Sequence, residues 1–180
     1  MKLLYRDTGF TWSGVYPRRL SSKPLDHATR LEFLDMEQDV LDFGRSLNDM
    51  SGAFSAPELR LFSDLLSQVE SLYGKRLQSV KLVGSRARGT AMDTSDFDFL
   101  VFLDSCDYAV EVPRLKETGY QLCLNHGLGS ISLSPLTREQ FIGLDAKYEG
   151  ITENFRRDAV DLWPDGLTTL TIDLLCCPGS

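Results

Sequence analysis

The stretch that decides the fold runs from Val83 to Asp104, VGSRARGTAMDTSDFDFLVFLD. An apolar run, LQSVKLV at 77–83, leads into it, and a second, FDFLVFL at 97–103, lies inside it. Both have the length and the β-branched and aromatic content of strands. Between them Gly84-Ser85 opens a turn into a short helical segment carrying Arg86 and Arg88, and Gly89 lets the chain turn again. Asp98 is the anomaly, because a lone carboxylate inside a buried strand is costly. Residues two apart on a strand share a face, so Asp96 and Asp98 present two carboxylates side by side.

Like charges that close repel, and a divalent cation relieves the repulsion. Mg²⁺ in particular takes one or two carboxylates together with phosphate oxygens and water. Upstream, a glycine allows close approach of the backbone to a ligand. Free N–H groups and the Ser85 hydroxyl suit phosphate oxygens, and Arg86 and Arg88 suit either phosphate or solvent. The combination reads as a site for a nucleoside triphosphate with Mg²⁺. It is not a P-loop, since the run from Gly84 to Thr90 lacks the required Lys, and the GxGxxG dinucleotide fingerprint is absent.

Outward from the motif, helices and strands alternate. Ser55-Ala-Pro-Glu58 is a capping sequence, followed by helical spacing at Leu59, Phe62, Leu65, Leu66, Val69 and Leu72 up to Gly74. After the second strand a helix is expected over 112–126, with Pro113 near its start, then a strand over 130–135 with alternating serines. Thr137-Arg-Glu-Gln140 caps a short helix, and 153–160 reads as another. Residues 26–47 have a helical pattern through Leu31, Leu34, Leu41 and Leu47, and 48–55 a loop. The tail has a β-like centre, TLTIDLL. The expected class is α/β (α+β), a small mixed sheet with flanking helices. Residues 1–50 form an N-terminal helical extension, 51–163 the domain, and 164–180 a tail with a possible added strand.

Composition narrows the function. The chain has 180 residues, 42% hydrophobic and 25% charged, as expected of a soluble globular protein. No apolar run is long enough for a membrane span, and MKLLYRDTGF has no signal-peptide core, so a cytoplasmic protein is expected. Cys106, Cys123, Cys176 and Cys177 lack zinc spacing and read as reduced fillers. His126, Trp12 and Trp163 read as structural. The net charge of −7 argues against a general nucleic-acid binder. Even so, 71–90 carries Lys75, Arg76, Lys81, Arg86 and Arg88 without an acid; this reads as a local positive field beside the phosphate site, with Lys75 and Arg76 as solvated surface. Asp104, Asp107 and Glu111 are expected to face solvent.

The residues GSRARGTAMDTSDFD, a Gly-Ser followed by Asp-x-Asp with the preceding Ser95, resemble the signature of the DNA polymerase β-like nucleotidyltransferase superfamily. The resemblance is to its small stand-alone domains and extends over about 57–163, through Asn125-His-Gly, Ile131-Ser-Leu and Asn154-Phe-Arg-Arg-Asp. It implies a nucleotidyltransferase-like fold. It also implies Mg²⁺-dependent transfer of a nucleoside monophosphate, AMP from ATP, to a hydroxyl with release of pyrophosphate. Gly84, Ser85, Arg86 and Arg88 would bind the nucleotide, and Asp96 and Asp98 one or two Mg²⁺ ions. Active members carry a third carboxylate on a later strand. Here that strand, GSISLSPL, offers Ser130, Ser132 and Ser134, and Asp173 is the later acid in a β context. The acceptor is read as a protein or small molecule, with tRNA as an alternative. A second reading is an antitoxin-like or regulatory nucleotide-binding protein that pairs with a HEPN-type partner, and a third is a degenerate scaffold.

Overall fold

In the computed structural model, the described residues are 41–50, 52–144, 148 and 150–163. The expected helix before residue 41, the TLTIDLL strand, Asp173, Trp12, Cys176 and Cys177 lie outside them. The elements, in chain order, are β1 (Arg45–Ser46), α1 (Ala56–Tyr73), β2 (Leu77–Val83), α2 (Gly84–Arg88), β3 (Phe97–Leu103), α3 (Tyr108–His126), β4 (Ile131–Leu136), α4 (Arg138–Ile142), α5 (Ile151–Asp158) and β5 (Val160–Asp161). Short 3₁₀ segments occupy Leu47–Met50 and Gly74–Arg76. The sheet is mixed, in the order β1-β5-β2-β3-β4. β2 and β3 are antiparallel with Val83 opposite Asp98, and β3 and β4 are parallel with Asp98 beside Ser132.

Alternation along β3 divides the core in two. Phe97, Phe99, Val101 and Leu103 face α1 and α3, in one cluster with Leu61, Phe62, Leu65, Leu66 and Val69 of α1 and Leu115 and Leu122 of α3. Asp98, Leu100 and Phe102 face the other way, and the last two pack with Leu41, Val83, Leu136 and Phe141. Phe62 anchors the first layer, meeting the rings of Phe54, Phe97 and Phe99 edge-on. Gly119 lets α3 lie close on β4, since a Cβ there would stand 2.9 Å from the Ile131 carbonyl oxygen. Among the described residues no helix is long and apolar enough to cross a membrane.

Four expectations need correction. The helix does not continue to Leu47: residues 41–44 are non-helical, and Arg45–Ser46 pairs in parallel with Val160–Asp161. Leu41 belongs to one core cluster and Leu47 to the other, so the spacing of these two comes from a segment crossing the sheet edge, not from a helical stripe. α3 starts before residue 112, because the Asp107 carboxylate caps it by accepting from the Ala109 N–H at 3.0 Å, which leaves Pro113 inside the helix. The last helix stops at Asp158, and Val160 opens a strand instead. Finally, Glu111 does not face solvent: its side chain is 3% exposed and pairs with Arg76 at 3.0 Å and Arg114 at 3.1 Å.

Candidate functional site

The site forms where β2 ends against the start of β3. Gly84 has φ +78, a backbone that side-chain-bearing residues rarely adopt. A Cβ on Gly84 would stand 2.8 Å from Asp98 Oδ2, so the carboxylate would have to shift to admit one. The chain therefore turns directly over the Asp98 carboxylate. Ser85 follows, half-buried at the start of the short α2. Gly89, left-handed at φ +72, ends α2, and the Thr90 N–H donates to the Ser85 carbonyl at 3.0 Å. The loop to β3 is closed on itself: the Ser95 hydroxyl accepts from the Met92 N–H at 2.9 Å, and the Ser95 N–H donates to the Met92 carbonyl at 2.9 Å.

Asp96 leaves this loop exposed and Asp98 enters β3 half-buried. Neither carboxylate has a hydrogen bond or an ion pair among the described residues. Burial, and then the charge of Asp96, push the Asp98 carboxyl up to about 6, with Arg88 acting in the opposite sense. The protein thus holds two like charges together without a hydrogen-bonded or ion-pair partner among the described residues, a donor set that fits a hard divalent cation. No group of three or more His, Cys, Asp or Glu suited to a metal exists among the described residues.

The basic residues separate into distinct places. Arg88 is 46% exposed, its Nη1 3.9 Å from Asp158 Oδ2. The Arg86 guanidinium is 12% exposed and engaged within the protein: Nη1 meets Glu58 Oε1 at 2.9 Å, Nη2 and Nε donate to the Ser95 carbonyl at 2.8 and 3.1 Å, and the group lies 3.8 Å from the Phe97 ring centroid. Lys81 does not add to a positive field at the site. It is fully buried, donates to Asp161 Oδ2 and to the Phe43 carbonyl at 2.7 Å each, and sits over the Phe43 ring. Arg45 of β1 ties the end of α2 to α5 by donating to the Ala87 and Asp158 carbonyls.

On β4 the residue in register with Asp98 is Ser132, half-buried on the same face. A hydroxyl, not a carboxylate, therefore flanks the aspartates on that side. Asp173 falls outside the described residues. Glu58, read from the sequence only as a helix cap, reaches the site's supporting layer. Its signal was an acid in the first turn of a helix whose neighbour in space could not be read from spacing. Asp158, held by Arg88 and Arg157, lies in the Asn154-Phe-Arg-Arg-Asp stretch quoted above, which assigns it no role of its own.

Residues 63–172 match the family model described as nucleotidyltransferase domain, more than half of the chain. Among solved structures, the chain is similar to a candidate nucleotidyltransferase from Sulfolobus solfataricus, known from a crystal structure. The two share 22% identity over 60% of this chain and 81% of that one, with a TM-score of 0.35. Among the curated proteins none matches.

Proposed function

The chain belongs to the nucleotidyltransferase domain family, and from the uncompensated carboxylates at its Gly-Ser turn we propose that it transfers a nucleoside monophosphate, AMP from ATP, to a hydroxyl acceptor. In this reaction the acceptor oxygen forms a bond to the α-phosphorus and the bond from that phosphorus to the pyrophosphate oxygen breaks. The acceptor proton passes to solvent. Asp96 and Asp98 hold Mg²⁺, which supplies Lewis-acid stabilisation of the phosphoryl oxygens when bound. Gly84 and Ser85 bind triphosphate oxygens through backbone N–H and hydroxyl groups, and the exposed Arg88 supplies positive charge. The protein's share is positioning and electrostatics.

The single observation that carries this reading is Asp98: a half-buried carboxylate with no cation partner, packed against a glycine that any side chain would force away. Calorimetry with ATP, with and without Mg²⁺, tests it. Binding is expected only with the metal, and Asp96→Ala/Asp98→Ala is expected to weaken it about 100-fold or more. Equal binding by the double variant would remove the aspartates from the site. Transfer is then read by labelling acceptors with α-phosphate-labelled ATP.

One observation favours a second reading, nucleotide binding with weak or no turnover in a protein that pairs with a HEPN-type partner. Ser132 stands beside Asp98 where a third carboxylate would otherwise help deprotonate an acceptor. Serine is a poor base and a weak Mg²⁺ ligand. Metal-dependent binding without transfer to any protein, small molecule or tRNA would select this reading. Transfer at a measurable rate would exclude it.

A further inference from the structure

Arg86 directly follows the Gly84-Ser85 turn, yet its guanidinium points into the protein and is covered on every side that the contacts define. One nitrogen pairs with Glu58 Oε1 at 2.9 Å. Two converge on the Ser95 carbonyl at 2.8 and 3.1 Å, and Nη2 also reaches the Asp93 carbonyl at 3.5 Å. The planar group rests on Phe97 at 3.8 Å from the ring centroid. Gly129 closes the pocket from the other side, since a Cβ there would stand 3.1 Å from the Ser95 oxygen and 4.0 Å from Arg86 Nη2.

What these contacts hold in place is Asp96. Ser95 precedes it and Phe97 follows it, so the guanidinium fixes the residue on each side and leaves the carboxylate exposed between them. The support extends further. Glu58 Oε2 accepts from both the Ser55 N–H and the Ser55 hydroxyl at 2.8 Å, so one carboxylate caps α1 and anchors Arg86 at once. Arg86 sits on α2, directly after Gly84-Ser85, so one side chain joins the triphosphate turn to the metal carboxylate loop. An arginine is required for this, because the contacts are those of a planar fork: a bidentate carbonyl contact, an ion pair and a ring stack made together.

We infer that Arg86 is a positioning residue that sets the Asp96 carboxylate against Asp98 for metal, with Glu58 as its anchor, and that it does not contact the triphosphate. The inference rests on the Mg²⁺-nucleotide reading given above. It differs from what the position of Arg86 in the motif suggests, where a base beside the Gly-Ser turn reads as a phosphate ligand.

The test uses the full chain as wild type, Arg86→Lys, Glu58→Gln and, as a control for the helix cap alone, Ser55→Ala. Two quantities are measured: amide hydrogen exchange at Met92 and Ser95 without ligand, and the Mg²⁺ concentration giving half-maximal ATP binding. Arg86→Lys is expected to speed exchange at both amides and to raise the Mg²⁺ midpoint about tenfold or more, with ATP affinity recovering at saturating Mg²⁺. Glu58→Gln is expected to shift the midpoint in the same direction by less, and Ser55→Ala to leave it unchanged while lowering the unfolding temperature. Three results would overturn the inference. ATP affinity that stays low at saturating Mg²⁺, with exchange unchanged, makes Arg86 a phosphate ligand. Faster exchange with an unmoved midpoint makes it only structural. Absence of Mg²⁺-dependent binding in the wild type itself removes the reading beneath it, and that result is distinct from the other two.

Discussion

Two aspartates on the same face of one sheet meet opposite fates. Asp161 of β5 is in register with Lys81 of β2, and its carboxylate takes a fully buried ammonium at 2.7 Å. Asp98 of β3 is in register with Val83, two residues further along β2, and has no cation within ion-pair distance. At the first place charge is closed within the fold. Burial alone would push Lys81 towards its neutral form, and Asp161 opposes that shift. At the second place the charge of another carboxylate, Asp96, adds to the burial cost, and Arg88 acts in the opposite sense. A fold that pairs one half-buried carboxylate with a lysine could have done the same for the other. On the function proposed above, leaving Asp98 open keeps a site for a cation that comes with the substrate.

The same substitution should therefore act in opposite directions at the two places. Asp161→Asn removes the carboxylate paired with a buried ammonium and is expected to lower stability by about 2–4 kcal/mol, measured by urea unfolding. Lys81→Met with Asp161→Leu should recover most of that loss, since no charge is left behind. Asp98→Asn should raise stability by about 1–3 kcal/mol at pH 8 without metal. The folded-state value of Asp98, about 6, lies above that of an unfolded carboxyl. Between these values the folded protein binds more protons than the unfolded one, so stability falls as pH rises. The penalty is complete above the folded value and absent below the unfolded one. The advantage of Asp98→Asn should thus be full at pH 8 and vanish by about pH 4. Mg²⁺ with ATP should reverse it, by stabilising only the wild type. A loss of stability in Asp98→Asn at pH 8 would mean that the carboxylate is compensated after all.

A smaller effect comes from adding charge at the open end. Ser132 lies beside Asp98 on the same face, so Ser132→Asp should raise affinity for Mn²⁺ in the absence of nucleotide by about tenfold, read by its electron paramagnetic resonance. It should also push the Asp98 carboxyl further up when no metal is present. Unchanged metal affinity would show that the β4 position does not share the site.

Much of this contrast was written in local sequence. The FDFLVFL run marks β3 to the residue, and the one acid that breaks it is the one left uncompensated. The Ser55 to Glu58 signature places the start of α1, and Gly84 is legible as a turn. What could not be read was pairing across distance. Lys81 sits among bases in the sequence and looks like part of a positive field; only β5, two residues long, brings Asp161 beside it. Arg86 reads as a motif base, and its partner Glu58 lies on the far side of β2. Leu41 and Leu47 imitate a helical stripe because each is buried, but on opposite faces of the sheet. In each case the residue type was visible, and the partner depended on a long-range contact that spacing does not encode.

The smallest effect tests whether burial or contact geometry separates the two aspartates. Arg157 and Asp158 make a two-pronged pair, at 2.7 and 2.9 Å, as short as the contact between Lys81 and Asp161. The Arg157 hydrogen bonds hold the Asp158 carboxyl below its ordinary value. The Arg157 side chain is 64% exposed, however, whereas Lys81 is 0% exposed. Water and salt screen the first pair and not the second. Arg157→Ala should accordingly leave the urea midpoint within error of the wild type, and Asp158 keeps Arg88 as a neighbour. If Arg157→Ala were as damaging as Asp161→Asn, short contacts alone would account for stability here. The open state of Asp98 would then lose its meaning as a site, because closing a carboxylate on this surface would be a matter of reach and not of burial.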